Sequence, residues 1–234
     1  LRRFIGTFHK TGTALIEHTL RRARRTGHVR TWVTYEGPEP DEWDVAFERH
    51  AHKLARTIDP DPARARYAIV VRDPRDVVVS AAHYHMHSGE KWLHKPRDDF
   101  GGMTYQQRIL ALPDMEHRYL FEIDHSAGSQ VRGMLSLPYD LPSVTRTTLE
   151  QLVTDHDLHE FRRVFCFLGF SGDTLDGLLD AAERNSLFSG KVRPSAHARD
   201  GRPAQWVHAF TPRVTEKFEQ VLGDAPQRLG YPAG

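Results

Sequence analysis

Short apolar runs alternate with amphipathic stretches along this chain, the pattern of an α/β domain with a central, mostly parallel sheet flanked by helices. The first run, about Arg3–Thr7, reads as a strand. A small-residue loop follows, His9-Lys10-Thr11-Gly12-Thr13, then a helix with Leu15, Ile16, Thr19 and Leu20 on one face. Further strands are expected over about Val29–Thr34 and Val45–Glu48, with loops at Gly37–Asp41 and Asp59–Pro62. Tyr67-Ala68-Ile69-Val70-Val71 is continuously apolar, as a strand covered on both faces must be. Arg72-Asp73-Pro74-Arg75-Asp76 then turns the chain, and Pro74 suits the first turn of a helix over about 75–86.

In the second half, Trp92–Gly102 reads as a loop, a natural place for a lid. Helical patterns cover about 104–111 and 126–135, and a strand is expected near Val144–Leu149. Leu158, Phe161, Val164, Phe165 and Leu168 make the apolar stripe of a helix over about 157–168, ending at Gly169. Cys166, inside that apolar run, is expected to be a buried small hydrophobe. Another helix covers about 173–184, and a polar segment runs from Asn185 to Trp206. Thr211 and Pro212 are the N-cap and first residue of a final helix to about Leu222.

Composition narrows the classes. At 234 residues, a single domain over 1–234 is expected. The balance of 32 Lys+Arg against 31 Asp+Glu argues against a chain that coats nucleic acid, while permitting a local basic pocket. One cysteine excludes an internal disulfide framework and fits a reducing, cytoplasmic compartment. No apolar run approaches the roughly 18 residues of a membrane span, and no secretory leader is seen. The chain opens on Leu1 rather than Met, so a trimmed N-terminus is expected. Arg21, Arg22, Arg24 and Arg25 read as the solvated face of the first helix. His83 and His87 share a helical face, but no third ligand at suitable spacing accompanies them, so no metal is expected.

Three segments could hold anions. In the first loop, small residues let backbone N–H groups point inward, the following helix N-terminus adds partial positive charge, and Lys10 adds a full one. Lys10 precedes Gly12, which is not the Walker A order. Arg72 ends the most apolar strand, where open α/β sheets bind ligands, and Ser80 lies two helical turns on. An arginine fork plus a hydroxyl suits a phosphate. Arg199-Asp200-Gly201-Arg202 is a basic loop remote from any core pattern.

In this order, these segments resemble the cytosolic-type sulfotransferases that use 3'-phosphoadenosine 5'-phosphosulfate (PAPS) and release 3'-phosphoadenosine 5'-phosphate (PAP). The resemblance runs over nearly the whole chain. His9-Lys10-Thr11-Gly12-Thr13-Ala14-Leu15 is similar to the family's P-K-S-G-T-T-W loop. Arg72 and Ser80 keep the family's Arg-to-Ser spacing of eight. Thr148 to Val153 and Phe167-Leu168-Gly169 resemble its Y-E-D-L and F-L-G segments, and Asn185-Ser186-Leu187-Phe188 its T-S-F segment. Arg199, Gly201 and Trp206 fall in register with its R-K-G-x-x-G-D-W loop. The resemblance implies a P-loop-like fold. It assigns the 5'-phosphosulfate to Lys10, Thr11, Gly12 and Thr13, and the 3'-phosphate to Arg72, Ser80, Arg199 and Gly201. The adenine side falls to Ser186 and Phe188.

It also implies a histidine base after a short strand. His50 fits that register, with His52 two residues on, and an imidazole pKa of about 6.5 suits the task. The family's lysine in this stretch is Glu48 here, so a sulfonate contact is missing unless Lys53 supplies it. Leu15 and Leu149 replace the family's adenine-side Trp and Tyr, and Asp200 replaces a Lys. The expected reaction is in-line, metal-free sulfonate transfer to a hydroxyl or amine of a small-molecule acceptor. A catalytically silent PAP-binding module and a nucleotide-dependent kinase are the alternatives. The acceptor and the oligomeric state are not readable.

Overall fold

The computed structural model describes residues 1–185 and 203–233. In chain order these form β1 (Arg2–Gly6), α1 (Thr13–Arg25), β2 (Thr31–Val33), β3 (Val45–Glu48), a 3-10 helix at Ala51–Arg56, β4 (Ala65–Val71) and α2 (Pro74–His85). Shorter 3-10 turns at Lys91–His94 and Asp98–Phe100 precede α3 (Tyr105–Leu110), α4 (Met115–Asp124) and α5 (Ser126–Leu135). Then come β5 (Val144–Thr148), α6 (Leu149–Val153), α7 (His159–Phe167), α8 (Gly172–Asn185), α9 (Trp206–Ala209), α10 (Pro212–Leu222) and α11 (Ala225–Arg228). These residues fall into two compact units, 1–72 with 136–185, and 73–135 with 203–233.

The first unit holds a five-stranded, all-parallel sheet in the order β2-β3-β1-β4-β5. β1 is central: Gly6 is level with Glu48 of β3 on one side and Ile69 of β4 on the other. The expected apolar strand is there, with Ala68, Ile69, Val70 and Val71 buried. Helices α1, α7 and α8 place Ile16, Leu20, Phe161, Phe165, Leu178 and Leu179 in one core with Ile5, Phe47 and Val70. Fully burying each such side chain contributes about 1.5–3 kcal/mol. β2 is shorter than its apolar pattern: at Arg30 the N–H donates to the Asp44 carboxylate at 2.7 Å, while the carbonyl accepts from the Asp44 N–H at 2.8 Å.

Cys166 corrects the expectation: it is exposed. Phe161, Val164, Phe165 and Leu168 follow the helical period and are buried, and that same period turns position 166 outward.

In the second unit, α10 starts where expected, with the Thr211 hydroxyl accepting from the Val214 N–H. The expected loop Trp92–Gly102 contains two 3-10 turns, and its Leu93 and Phe100 pack with Tyr105, Ile109 and Phe121. Helix α4 escaped the sequence reading. Its buried face includes a carboxylate, Glu122, held at 2.6 Å by the equally buried His85, and that charge breaks the apolar period. No helix among the described residues is long and apolar enough to cross a membrane.

Gly6 sits where the 3-10 helix Ala51–Arg56 rests on β1. A Cβ there would lie 2.8 Å from the Ala51 Cβ and 3.0 Å from the Ile69 Cδ1. Gly6→Ala is therefore expected to destabilise the protein by about 1–3 kcal/mol through overpacking. Thermal unfolding checks this, and an unchanged Tm would show that the 3-10 helix lifts away at no cost.

Candidate active site

The site is built at the carboxyl edge of the sheet, at the strand where the chain's winding reverses direction. Connections from β1 go to one side of it, and later strands fill the other, which is where open parallel sheets bind ligands. Thr7 extends the ladder one step past β1: its N–H donates to the Glu48 carbonyl and its carbonyl accepts from the Ala51 N–H, both at 2.9 Å.

The loop that follows is held from inside. Phe8 and Thr11 are fully buried. The Thr11 hydroxyl accepts from the Phe8 N–H at 2.8 Å and lies 3.1 Å from the Val70 carbonyl of β4, to which it can donate. The Thr13 hydroxyl lies 3.0 Å from the Thr7 hydroxyl and donates to the Phe8 carbonyl. Two residues take left-handed backbone, Lys10 at φ 68° and Gly12 at φ 97°. Glycine suits position 12 because of its positive φ, and a Cβ there would also push the Leu149 Cδ1, 2.8 Å away, aside. For Lys10 the conformation is strained, and such strain concentrates at ligand sites. Gly12 leads directly into α1, which has no acidic residue in its first turn, so the positive end of the helix dipole is uncompensated from within.

Arg72 follows β4 and is 7% exposed. Its Nη1 donates to the Lys10 carbonyl at 3.2 Å, so the two cationic residues chosen from the sequence lie side by side. Among the described residues the buried Arg72 Nε has no hydrogen-bond partner. A buried, unpaired guanidinium donor is costly unless something accepts from it.

His50 caps the 3-10 helix after β3 and is half-buried, whereas His52 is exposed. Burial pushes the His50 pKa down, and the neighbouring Lys53 pushes it further; the pull of Glu48 upward is smaller. The imidazole is thereby kept neutral and able to accept a proton. Glu48, which the sequence marked only as a missing lysine, is nearly buried and does structural work. One carboxylate oxygen accepts from the His50 N–H at 2.8 Å and the other from the Thr34 hydroxyl at 2.7 Å. It fixes the turn that presents His50.

Of the remaining expected residues, Ser80 lies on α2 in the second unit and is partly exposed. Ser186, Phe188, Arg199 and Gly201 lie outside the described residues. The described end of the late loop shows an anchor that sequence reasoning missed. Fully buried Asp76 accepts from the N–H groups of Ala204 at 2.8 Å and Trp206 at 2.9 Å. Arg75, paired with Asp73, stacks on the Trp206 ring at 3.8 Å. An Asp in a helix's first turn reads as dipole compensation, so sequence carries no separate signal for this role. In the same unit His83 contacts the Tyr119 hydroxyl at 3.4 Å, and the grouping able to ligate a metal ion among the described residues is Asp114, Glu116 and His117 instead.

In fold the chain matches solved sulfotransferase structures. The chain is similar in structure to mouse sulfotransferase SULT7A1 complexed with PAP, at 13% identity and a TM-score of 0.60, over 97% of this chain and 84% of that one. It is similar also to retinol dehydratase in complex with androsterone and the inactive cofactor PAP, at 13% identity and a TM-score of 0.55, over 100% of this chain and 83% of that one. No protein-family model and no curated protein sequence matches the chain.

An NMR titration should place the His50 midpoint below 6.5. Lys53→Met removes a cation that opposes protonation and should raise that midpoint; an unmoved midpoint would mean that Lys53 is not felt at the ring.

Proposed function

We propose that the chain, acting as one domain over residues 1–234, transfers the sulfonate of PAPS to a hydroxyl or amine of a small-molecule acceptor. The observation that carries this reading is the Arg72–Lys10 contact: the Arg72 guanidinium reaches the Lys10 carbonyl at 3.2 Å at the carboxyl edge of a sulfotransferase fold, and its buried Nε has no partner among the described residues. The strained loop and the α1 N-terminus supply further positive potential for an anion. Bound PAPS supplies the sulfonate and a phosphate leaving group. Lys10 and the loop N–H groups would stabilise charge developing on that phosphate, and Arg72 would hold the 3'-phosphate. His50 would take the proton from the acceptor hydroxyl at an imidazole nitrogen. For Ser80, Ser186, Phe188, Arg199 and Gly201 the support is the sequence match alone. For Thr11 and Thr13 the hydroxyls are engaged within the loop, so their part is to shape it and offer backbone.

No divalent cation is expected to be needed, since a sulfonate carries less charge than a transferring phosphoryl group. The single cysteine supports a cytoplasmic setting.

Incubation with labelled PAPS and an acceptor panel tests the reading, and absence of PAP release under every condition would count decisively against it. PAP binding without PAPS consumption would mark a silent nucleotide-binding module. Lys10→Ala should lower kcat by about 10²–10³-fold. Arg72→Ala should weaken PAP binding by about 10–100-fold.

His50→Ala should lower kcat/KM by about 10²–10⁴-fold with His52→Ala near wild type; the reverse result would move the base to His52. Because His50 must be neutral to act and its pKa is depressed, kcat/KM should be on its plateau at neutral pH. It should fall only below about pH 6.5, as the ring becomes protonated. The charged groups setting that midpoint are Lys53, Glu48, His52 and Arg49. Activity should survive EDTA.

A further inference from the structure

The 3-10 helix after β3 has an unusual consequence for what the acceptor must be. Three residues per turn stack side chains at i and i+3, about 6 Å apart along the axis. The i to i+3 pattern is set by the Lys53 N–H donating to the His50 carbonyl and the Thr57 N–H to the Leu54 carbonyl, both at 2.8 Å. One ridge of this helix, Ala51 and Leu54, is buried against the sheet. The next ridge is Lys53 and Arg56, both exposed, and it starts one turn after the N-cap His50, whose imidazole feels the Lys53 charge. A line of two cations therefore leads outward from the histidine proposed as base.

Across this unit Arg2 pairs with Glu39, Arg30 with Asp44, Arg64 with Asp59 and Arg163 with Glu160. Lys53 and Arg56 have no ion pair among the described residues. The nearby acids are taken: Glu48 is turned inward onto Thr34 and the His50 backbone, and Glu17 serves Arg21 and Arg49. Two such cations following a base favour a substrate that brings negative charge of its own.

Resting on the assignment of His50 as base in a sulfotransferase, we propose that the acceptor carries a carboxylate, sulfate or phosphate group about 6–12 Å from its reacting hydroxyl, seated on Lys53 and Arg56. This charge fixes the acceptor's orientation, since the end bearing the anion lies on the ridge and the hydroxyl end at His50. It also disfavours neutral molecules of the same shape.

The test uses the full chain loaded with PAP and a matched pair of phenols, 4-hydroxyphenylacetate and its methyl ester, with affinities measured by calorimetry. Wild type should bind the acid about tenfold more tightly than the ester at low ionic strength, and the preference should shrink near 0.5 M salt, where screening is several-fold shorter-ranged, roughly. Lys53→Glu/Arg56→Glu should abolish the preference and leave the Kd for PAP unchanged. Arg24→Glu/Arg25→Glu, on the exposed end of α1, makes the same change in net charge and should retain it.

Equal affinity for acid and ester, no binding of the acid, or an equal loss in the α1 variant would each overturn the proposal while the PAP reading stands. Weakened PAP binding in Lys53→Glu/Arg56→Glu would overturn it too, by moving these cations to the donor. If wild type fails to bind PAP at all, the sulfotransferase reading itself falls and takes this inference with it.

Discussion

The parallel hydrogen bonding of β1 to both of its neighbours is the constraint on which the site depends. Gly6 is level with Glu48 and Ile69, so three strands end at one edge of the sheet within a few residues of each other. Thr7 ties that edge to the turn after β3, and the Thr11 hydroxyl ties the loop to β4. Lys10 and Arg72, distant in sequence, are thereby brought into contact, and His50 follows the neighbouring strand β3 at the same edge. A slip of one residue in this register would turn the side chains of a strand to the opposite face.

The polar groups at this edge divide into two kinds. Thr7, Thr11 and Thr13 bond one another and the backbone, Glu48 accepts from Thr34 and the His50 N–H, and so these groups hold shape. Arg72 is buried with one donor unmatched among the described residues, and Lys10 sits in a backbone conformation that a residue with a Cβ adopts at a cost. Stability is given up at these two positions, and the surrounding hydrogen bonds and the apolar core of the sheet sustain the loss. The 3-10 helix belongs to the same logic. Its apolar ridge packs on Gly6, and that packing is what aims the neighbouring ridge, with its two cations.

Much of this was legible in the residues. Continuous apolar runs marked the central strands, and Pro74 and Thr211 marked helix starts, because strand burial and helix capping are local requirements written in neighbouring residues. Less was legible where a buried group takes its partner from far along the chain. Glu122 breaks the apolar period of α4 yet is buried, because His85 meets it. Glu48 read as the loss of a lysine, and is instead the clamp behind His50. Asp76 read as a helix-start residue, and anchors the chain at Ala204 and Trp206. Cys166 differs for another reason: it lies in an apolar run, but the helical period that buries Val164, Phe165 and Leu168 turns it outward.

Local chemistry alone determined that this chain makes a parallel α/β sheet, that a Lys–Thr–Gly–Thr loop closes its first strand, and that an arginine closes its most apolar one. Those features follow from side-chain periodicity, from the positive φ that Gly12 permits and from burial on both faces of a strand, all of which act over a few residues. Only the tertiary structure decided that Arg72 reaches the Lys10 carbonyl, that His50 rather than His52 is the shielded imidazole, and that Lys53 and Arg56 follow it on one exposed ridge. The first depends on the order in which strands pair, and the others on how the 3-10 helix after β3 packs against the sheet, both set by long-range packing that no short stretch of residues encodes.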